Sequence, residues 1–265
     1  MNINYETLLV EKWDDEAFIK VTINRPEKLN ALNPTVLKEL KEAFEHLATL
    51  EGLSGVVLTG AGDKAFIAGA DIASMAEMSS EEAELFARLG QEATSAMESL
   101  GAPIIGAVNG FALGGGCEFA MACDWIVATK TAVFGQPEVK LGLLPGFGGT
   151  QRLPKRVGLG RARELIYTGR NFGVEEAFDW GLVNTIYETI EQMMDGVKKN
   201  LKSLQRNSPL AIAKSKDAIN RGVDLPTVDG MKIEAQSFGK IFSSKDMKEG
   251  TKAFIEKRAP KFIGK

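Results

Sequence analysis

Between Ser99 and Cys123 the chain carries one acidic or basic side chain, Glu118, and a glycine triplet, Gly114-Gly-Gly116, stands just before it. A stretch this apolar has to be buried. A bare carboxylate inside it is costly unless it is paired, protonated or put to use. Gly101, Pro103, Gly106 and Gly110 break the run, so it reads as a buried strand and turn rather than a membrane helix. Three glycines leading into a helix let a ligand approach bare main-chain N–H groups with the helix dipole behind them. A second acid, Glu138, stands in similar company, Val133-Phe-Gly-Gln-Pro-Glu-Val139.

The segments around this run set an α/β rhythm. Residues 17–24 alternate Ile19, Val21 and Ile23 with Lys20, Thr22 and Asn24, which predicts a half-buried strand. Asn33-Pro34 is a helix cap followed by proline at the first helical position, and Leu37, Leu40, Phe44 and Leu47 form the apolar stripe behind it. Val56–Thr59 predicts a strand and Gly60–Asp63 a turn. A helix is expected over 81–100, with Leu85, Leu89, Ala93 and Met97 inward. Ile104–Asn109 reads as a strand, Glu118–Cys123 as a helix and Asp124–Ala128 as a further strand.

Residues 136–150 hold too many glycines and prolines for a regular element, and a loop of that length with its own acid is expected to be functional. After about residue 195 the strands stop. Pro209–Asn220, Val228–Phe242 and Lys245–Arg258 predict three helices, so the expected division is a core over 1–195 and a helical region over 196–265 that covers the site and serves assembly.

Composition narrows the classes. The 265 residues suffice for one α/β domain with a small appendage, and 35 acids against 32 bases argue against nucleic acid as the main partner. The one histidine, His46, cannot make a histidine-rich metal site, and its place on the amphipathic helix of residues 34–50 reads as surface or packing rather than as part of a Ser-His-Asp triad. The two cysteines, Cys117 and Cys123, fall on different faces of the expected helix and do not pair. The segment Met1-Asn-Ile-Asn-Tyr-Glu6 has no basic start or apolar signal core, so a cytoplasmic location with no membrane span is expected. Gly110-Phe-Ala-Leu-Gly114 does not fit the spacing of a dinucleotide-binding fingerprint, which counts against an oxidoreductase.

Several motifs then occur in one order: Asn24-Arg-Pro26, Asn30-Ala-Leu32, Phe66-Ile-Ala-Gly-Ala-Asp-Ile72, Ala107–Glu118, Phe134-Gly-Gln-Pro-Glu138 and Gly148-Gly-Thr-Gln-Arg152. Together they resemble the crotonase family, and within it the enoyl-CoA hydratases, from about residue 5 to Arg258. The resemblance implies a superhelix of ββα turns with a helical carboxy-terminal region, assembled as a hexamer of two trimers. It implies an acyl-CoA thioester substrate, with coenzyme A entering as part of that substrate and no separate cofactor or metal.

By position in the motifs, the oxyanion hole maps to the N–H groups of Ala70 and Gly115. The residue reading agrees for Gly115, whose N–H opens a helix and lacks a helical acceptor. In the family pattern, Glu118 activates water and Glu138 delivers a proton to C2. Gln136 and Pro137 are expected to position Glu138, and Gly146–Gly149 with residues 71–90, Met75 and Met78 among them, to line the acyl end. Lys28, Ala68, Asp71, Ile72, Gly146, Phe254 and Lys257 are the implied contacts to coenzyme A and substrate. The Glu27-Lys28 order departs from the lysine-then-alanine order of some relatives.

Keeping both glutamates favours hydration of a short trans-2-enoyl-CoA. A hydratase of a branched or functionalised enoyl-CoA shows the same pair. A double-bond isomerase typically lacks one of them, and a non-catalytic coenzyme A- or RNA-binding member has no need of either.

Overall fold

The computed structural model describes residues 4–265, with only the backbone of Glu16; Met1–Ile3, part of the segment read above for a targeting signal, lie outside the described residues. A hairpin of β1 (Leu8–Trp13) and β2 (Asp15–Ile23) begins the chain, followed by α1 (Pro34–Leu47). The Asn33 side chain accepts from the Val36 N–H, as an N-cap should, and Pro34 fills the first turn. The β1 strand was not anticipated from the sequence.

Three turns of the chain then repeat one path. The first is β3 (Gly55–Gly60), β4 (Ala65–Ile67), the short α2 (Ile72–Met75) and α3 (Ser80–Ser99). The second is β5 (Ile104–Val108), β6 (Phe111–Leu113) and α4 (Gly115–Ala122). The third is β7 (Trp125–Thr129), β8 (Val133–Gly135), α5 (Gly149–Val157) and α6 (Leu159–Thr168). Each turn places its first strand in a six-stranded sheet, order β1-β2-β3-β5-β7-β10, and its second in a four-stranded sheet, order β4-β6-β8-β9. This is the expected ββα superhelix. The chain closes it with β9 (Asn171–Gly173), α7 (Val174–Asp179) and β10 (Thr185–Tyr187).

Parallel pairing sets the level at which each turn leaves the small sheet. Ile67 faces Ala112, Ala112 faces Phe134, and Leu113 faces Gly135. The chain therefore leaves β4, β6 and β8 side by side, at the carboxyl ends of parallel strands where α/β sheets generally place their sites. In the large sheet, β3 and β5 are buried throughout, which explains their unbroken apolar runs. One face packs into the main core. The other meets α8 (Ile190–Gln205), whose Met193, Val197 and Leu201 pack with Phe18, Val57, Ile105 and Val127.

The division expected after residue 195 falls inside α8, which is built into the core. The three predicted carboxy-terminal helices are present as α9 (Pro209–Gly222), α10 (Thr227–Ile241) and α11 (Lys245–Ile255). Helices α9 and α10 approach closely where Gly222 meets Gly230. On α3 the inward stripe differs from expectation: Leu85 is exposed and Phe86 is buried in its place, because the helix turns Phe86, Gly90, Ala93 and Met97 inward. Both cysteines are buried and free. No helix among the described residues is long and apolar enough to cross a membrane.

Candidate active site

Glu118 and Glu138 open onto one cleft of about 950 Å³, along with Ala70 and Gly115. Helix α4 carries Glu118 inward at 1% exposure, its position fixed by the turn before it. Gly114 adopts φ +52 and ψ −122, a conformation that L side chains rarely take. Gly116 lies against the main chain of β4, where a Cβ would stand 2.0 Å from the Ile67 carbonyl oxygen. The triplet therefore serves close packing as well as bare backbone. Glu118 Oε1 accepts from the N–H of Phe147 at 2.8 Å and of Gly149 at 2.6 Å.

Glu138 begins a 3-10 turn, Glu138–Leu141, just beyond β8. Both its carboxylate oxygens are buried and have no hydrogen-bond partner. Its Oε1 stands over the glycine turn, 3.0 Å from where a Cβ on Gly114 would lie. Burial pushes the Glu138 carboxyl up to about 7. Burial also pushes Glu118 up to about 7, with the neighbouring Glu138 adding to the rise and the two main-chain N–H groups opposing it.

Two main-chain N–H groups are left without helical or strand acceptors beside these acids. Leu32 donates to the Gly69 carbonyl at 2.9 Å and accepts from the Asp71 N–H at 2.7 Å, a parallel bridge opposite Ala70. That pattern turns the N–H of Ala70 itself away from Leu32. Gly115 is the first residue of α4, and the first helical bond, from Glu118 N–H to the Gly114 carbonyl, lies beyond it. Both residues line the cleft.

Neighbouring residues hold this arrangement. Asn30, fully buried, donates to the Ala61 and Ala65 carbonyls and accepts from the Arg25 N–H. The Leu29 carbonyl accepts from Ala68 N–H, so the Asn30-Ala-Leu32 motif backs the Ala68–Asp71 strip. Arg25 adds hydrogen bonds to the Ala31 carbonyl and, at 3.4 Å, to Asp71. Gln136 Nε2 donates to the Gly114 carbonyl at 3.1 Å, which steadies the glycine turn over which Glu138 stands. Phe147 lies in the Gly146–Gly149 stretch expected to line the cleft. Its ring lies edge-on to Phe86 and Phe119, and a Cβ on Gly115 would meet it at 3.0 Å.

The other expected contacts divide. Ala68, Ile72, Met75 and Gly146 line the cleft, as do Gly148 and Phe147. Met78 lies in a separate groove with Phe86 and Leu89. Asp71, within the 68–72 strip, and Lys28 are outside the cleft lining, Lys28 being exposed and Asp71 paired with Arg25. Phe254 and Lys257, at the end of α11, are exposed and do not reach the cleft of their own chain.

A ββα spiral that sets two buried carboxyls and two unpaired amides around one cleft defines a protein able to polarise a carbonyl and move protons beside it. A family model described as enoyl-CoA hydratase/isomerase matches residues 14–265. The crotonyl-CoA hydratase of Syntrophomonas wolfei is 46% identical over 261 residues, 98% of this chain and 99% of that relative. The short-chain-enoyl-CoA hydratase of Clostridium acetobutylicum is 48% identical over 238 residues, 90% of this chain and 91% of that relative. A crystal structure of an enoyl-CoA hydratase from Bacillus anthracis superposes with a TM-score of 0.93 at 35% identity, covering 98% of this chain and all of the other. The chain belongs to the enoyl-CoA hydratase/isomerase family, the crotonase family.

Proposed function

We propose that the protein is a short-chain enoyl-CoA hydratase, a hydro-lyase that adds water reversibly and syn to a trans-2-enoyl-CoA to give the 3-hydroxyacyl-CoA. The observation that carries this reading is the unequal pair of carboxyls in one cleft, Glu118 with two N–H donors and Glu138 with none. Hydrogen bonds to a carboxylate favour its charged form, so a single proton shared by the pair resides on Glu138. Ionised Glu118 then takes a proton from water as the hydroxyl adds to C3. The electron pair passes to the thioester oxygen, between the N–H groups of Ala70 and Gly115, and Glu138 delivers its proton to C2. Dehydration runs the same transfers backwards. The names of the two relatives, a crotonyl-CoA and a short-chain hydratase, support a short acyl chain.

Ala68, Ile72 and Gly146 belong in this reading to the coenzyme A and substrate path, with Lys28 and Asp71 at its rim. Phe254 and Lys257 would reach coenzyme A only from a neighbouring subunit of a homohexamer. Apolar Val228, Met231, Phe238 and Phe242 exposed on and beside α10 support such an assembly. A cytoplasmic location and coenzyme A as the sole cofactor chemistry, carried by the substrate, complete the proposal.

The test is the loss of conjugated thioester absorbance with crotonyl-CoA, in the wild type and in Glu118→Gln and Glu138→Gln. Each variant should lose roughly 10²–10⁴ in kcat while keeping its fold. Turnover at the wild-type rate in either one rejects the assignment. Rates on C4, C8 and C16 substrates test the short-chain part.

A further inference from the structure

Arg152 makes a fork to Glu98, Nε to Oε1 at 2.7 Å and Nη2 to Oε2 at 2.8 Å, while its Nη1 donates to the Phe147 carbonyl at 2.8 Å. The same peptide segment donates the Phe147 and Gly149 N–H groups to Glu118 Oε1. One guanidinium therefore grips the turn's carbonyl while the turn's N–H groups grip the carboxylate, and Arg152 and Glu98 line the same cleft. We propose that Arg152, held by Glu98, is a positioning residue that fixes the Phe147–Gly149 turn against the Glu118 carboxylate. The inference rests on the hydratase reading, in which Glu118 activates water.

Three contacts from α3 converge on this turn. Glu98 acts through Arg152, and Gln91 Nε2 donates to the Gly146 carbonyl at 2.9 Å. The third is the Phe147 ring, packed edge-on against Phe86 at 5.4 Å and so close to α3 that a Cβ on Gly90 would stand 2.1 Å from it. A planar fork resists rotation in a way a single ammonium does not, so arginine fits here and lysine would not. The Arg152 side chain is mostly buried, which preserves the strength of its bonds.

The groups facing Glu118 are few. Glu138 stands across from it after β8, Arg152 reaches toward it from α5 with Glu98 of α3 behind, and Cys117 adjoins it on α4. Lys155 lines the same cleft. The positive charge of Arg152 favours the ionised form of Glu118, so its removal raises the pH at which Glu118 becomes a competent base.

The experiment measures kcat, KM and the pH profile on crotonyl-CoA for full-length Arg152→Gln, Arg152→Lys and Glu98→Gln, with thermal melts alongside. Arg152→Gln should lower kcat roughly 10- to 100-fold through a displaced Glu118, with KM nearly unchanged, and move the acid limb of the profile to higher pH. Arg152→Lys should return the acid limb toward the wild type by restoring the charge, yet leave kcat low because the fork is lost. Glu98→Gln should lower kcat selectively as well, and it decides alone if Arg152→Gln does not fold. Wild-type kcat in any folded variant overturns the proposal, as does a kcat loss in Arg152→Gln with an unmoved acid limb. A wild type that hydrates crotonyl-CoA, fails as Glu118→Gln and is indifferent to Arg152 rejects this inference alone. A wild type that does not hydrate crotonyl-CoA rejects the hydratase reading.

Discussion

Glu118 and Glu138 face one cleft with opposite hydrogen-bonding states: Glu118 Oε1 takes two main-chain N–H groups, and neither oxygen of Glu138 takes any. Two chemically identical side chains, both raised to about 7 by burial, thereby differ in hydrogen bonding, which in the proposed hydration suits Glu118 to the base and Glu138 to the acid. The difference comes from the backbone around them, since no lysine or arginine among the described residues forms an ion pair with either carboxyl.

Stability should carry the mark of this burial. Glu138 rises from 4.5 to about 7 on folding. Between those values the folded protein holds more protons than the unfolded chain, so stability falls as pH rises and the loss is complete above the folded value. Glu138→Gln removes that dependence. Its melting temperature should match the wild type near pH 4.5 and exceed it at pH 8, by about 2–4 °C for each kcal/mol recovered. Calorimetry across this range checks the sign; a wild type that melts higher than the variant at pH 8 contradicts it.

Activity should show a narrow optimum. In the proposed hydration, water activation needs Glu118 ionised and protonation of C2 needs Glu138 protonated, and burial raises both to about 7. The hydration profile on kcat/KM should fall on both sides of neutrality. Glu138→Gln should abolish the alkaline limb in whatever activity remains.

Gly116→Ala separates packing from chemistry. The added methyl would enter the Ile67 carbonyl at 2.0 Å, and main chain on both sides leaves no flexible neighbour to yield. The variant should lose about 1–3 kcal/mol of stability or more, read as an earlier midpoint in urea. A neutral result would mean that α4 can move off β4 freely.

Asn30→Ala should act on binding as well as on stability. It strands buried main-chain groups of residues 25, 61 and 65, at about 1–3 kcal/mol, and loosens the support behind Ala68–Asp71. KM for crotonyl-CoA should rise along with a lower melting temperature. Lower stability at an unchanged KM would confine Asn30 to the fold.

Assembly can be read directly by light scattering on the purified chain. Phe238 and Phe242 touch each other at 5.0 Å between ring centres yet remain more than half exposed in the single chain. Phe238→Asp with Phe242→Asp should reduce a hexamer to smaller species. If the unaltered protein runs as a monomer, the hexamer is excluded.

Much of the site was legible as local chemistry. Asn33-Pro34 announced a helix start, the Ser99–Cys117 run a buried strand and turn, and the glycine triplet a helix amino terminus with free amides; all three are present. The short strands β4, β6, β8 and β9 were not read, because three residues give no periodicity and their pairing partners are distant in sequence. The bond from the Gln136 side chain to the Gly114 carbonyl was not legible for the same reason: its partner lies on the adjacent strand's exit rather than next to it in the chain. The fork between Glu98 and Arg152 was not legible either, because it joins α3 to α5 across 54 positions of sequence.

What the amino-acid order determined by itself was which groups must be buried and which backbone must stay bare: Glu118 in an apolar run, glycines before it, proline ahead of Glu138. Those are properties of single segments, set by solvation and backbone sterics. Only the tertiary structure decided that Ala70, Gly115 and Glu138 meet. Their segments leave three parallel strands at one level because Ile67, Ala112 and Phe134 stand in register, and register is a relation between segments that none of them encodes alone.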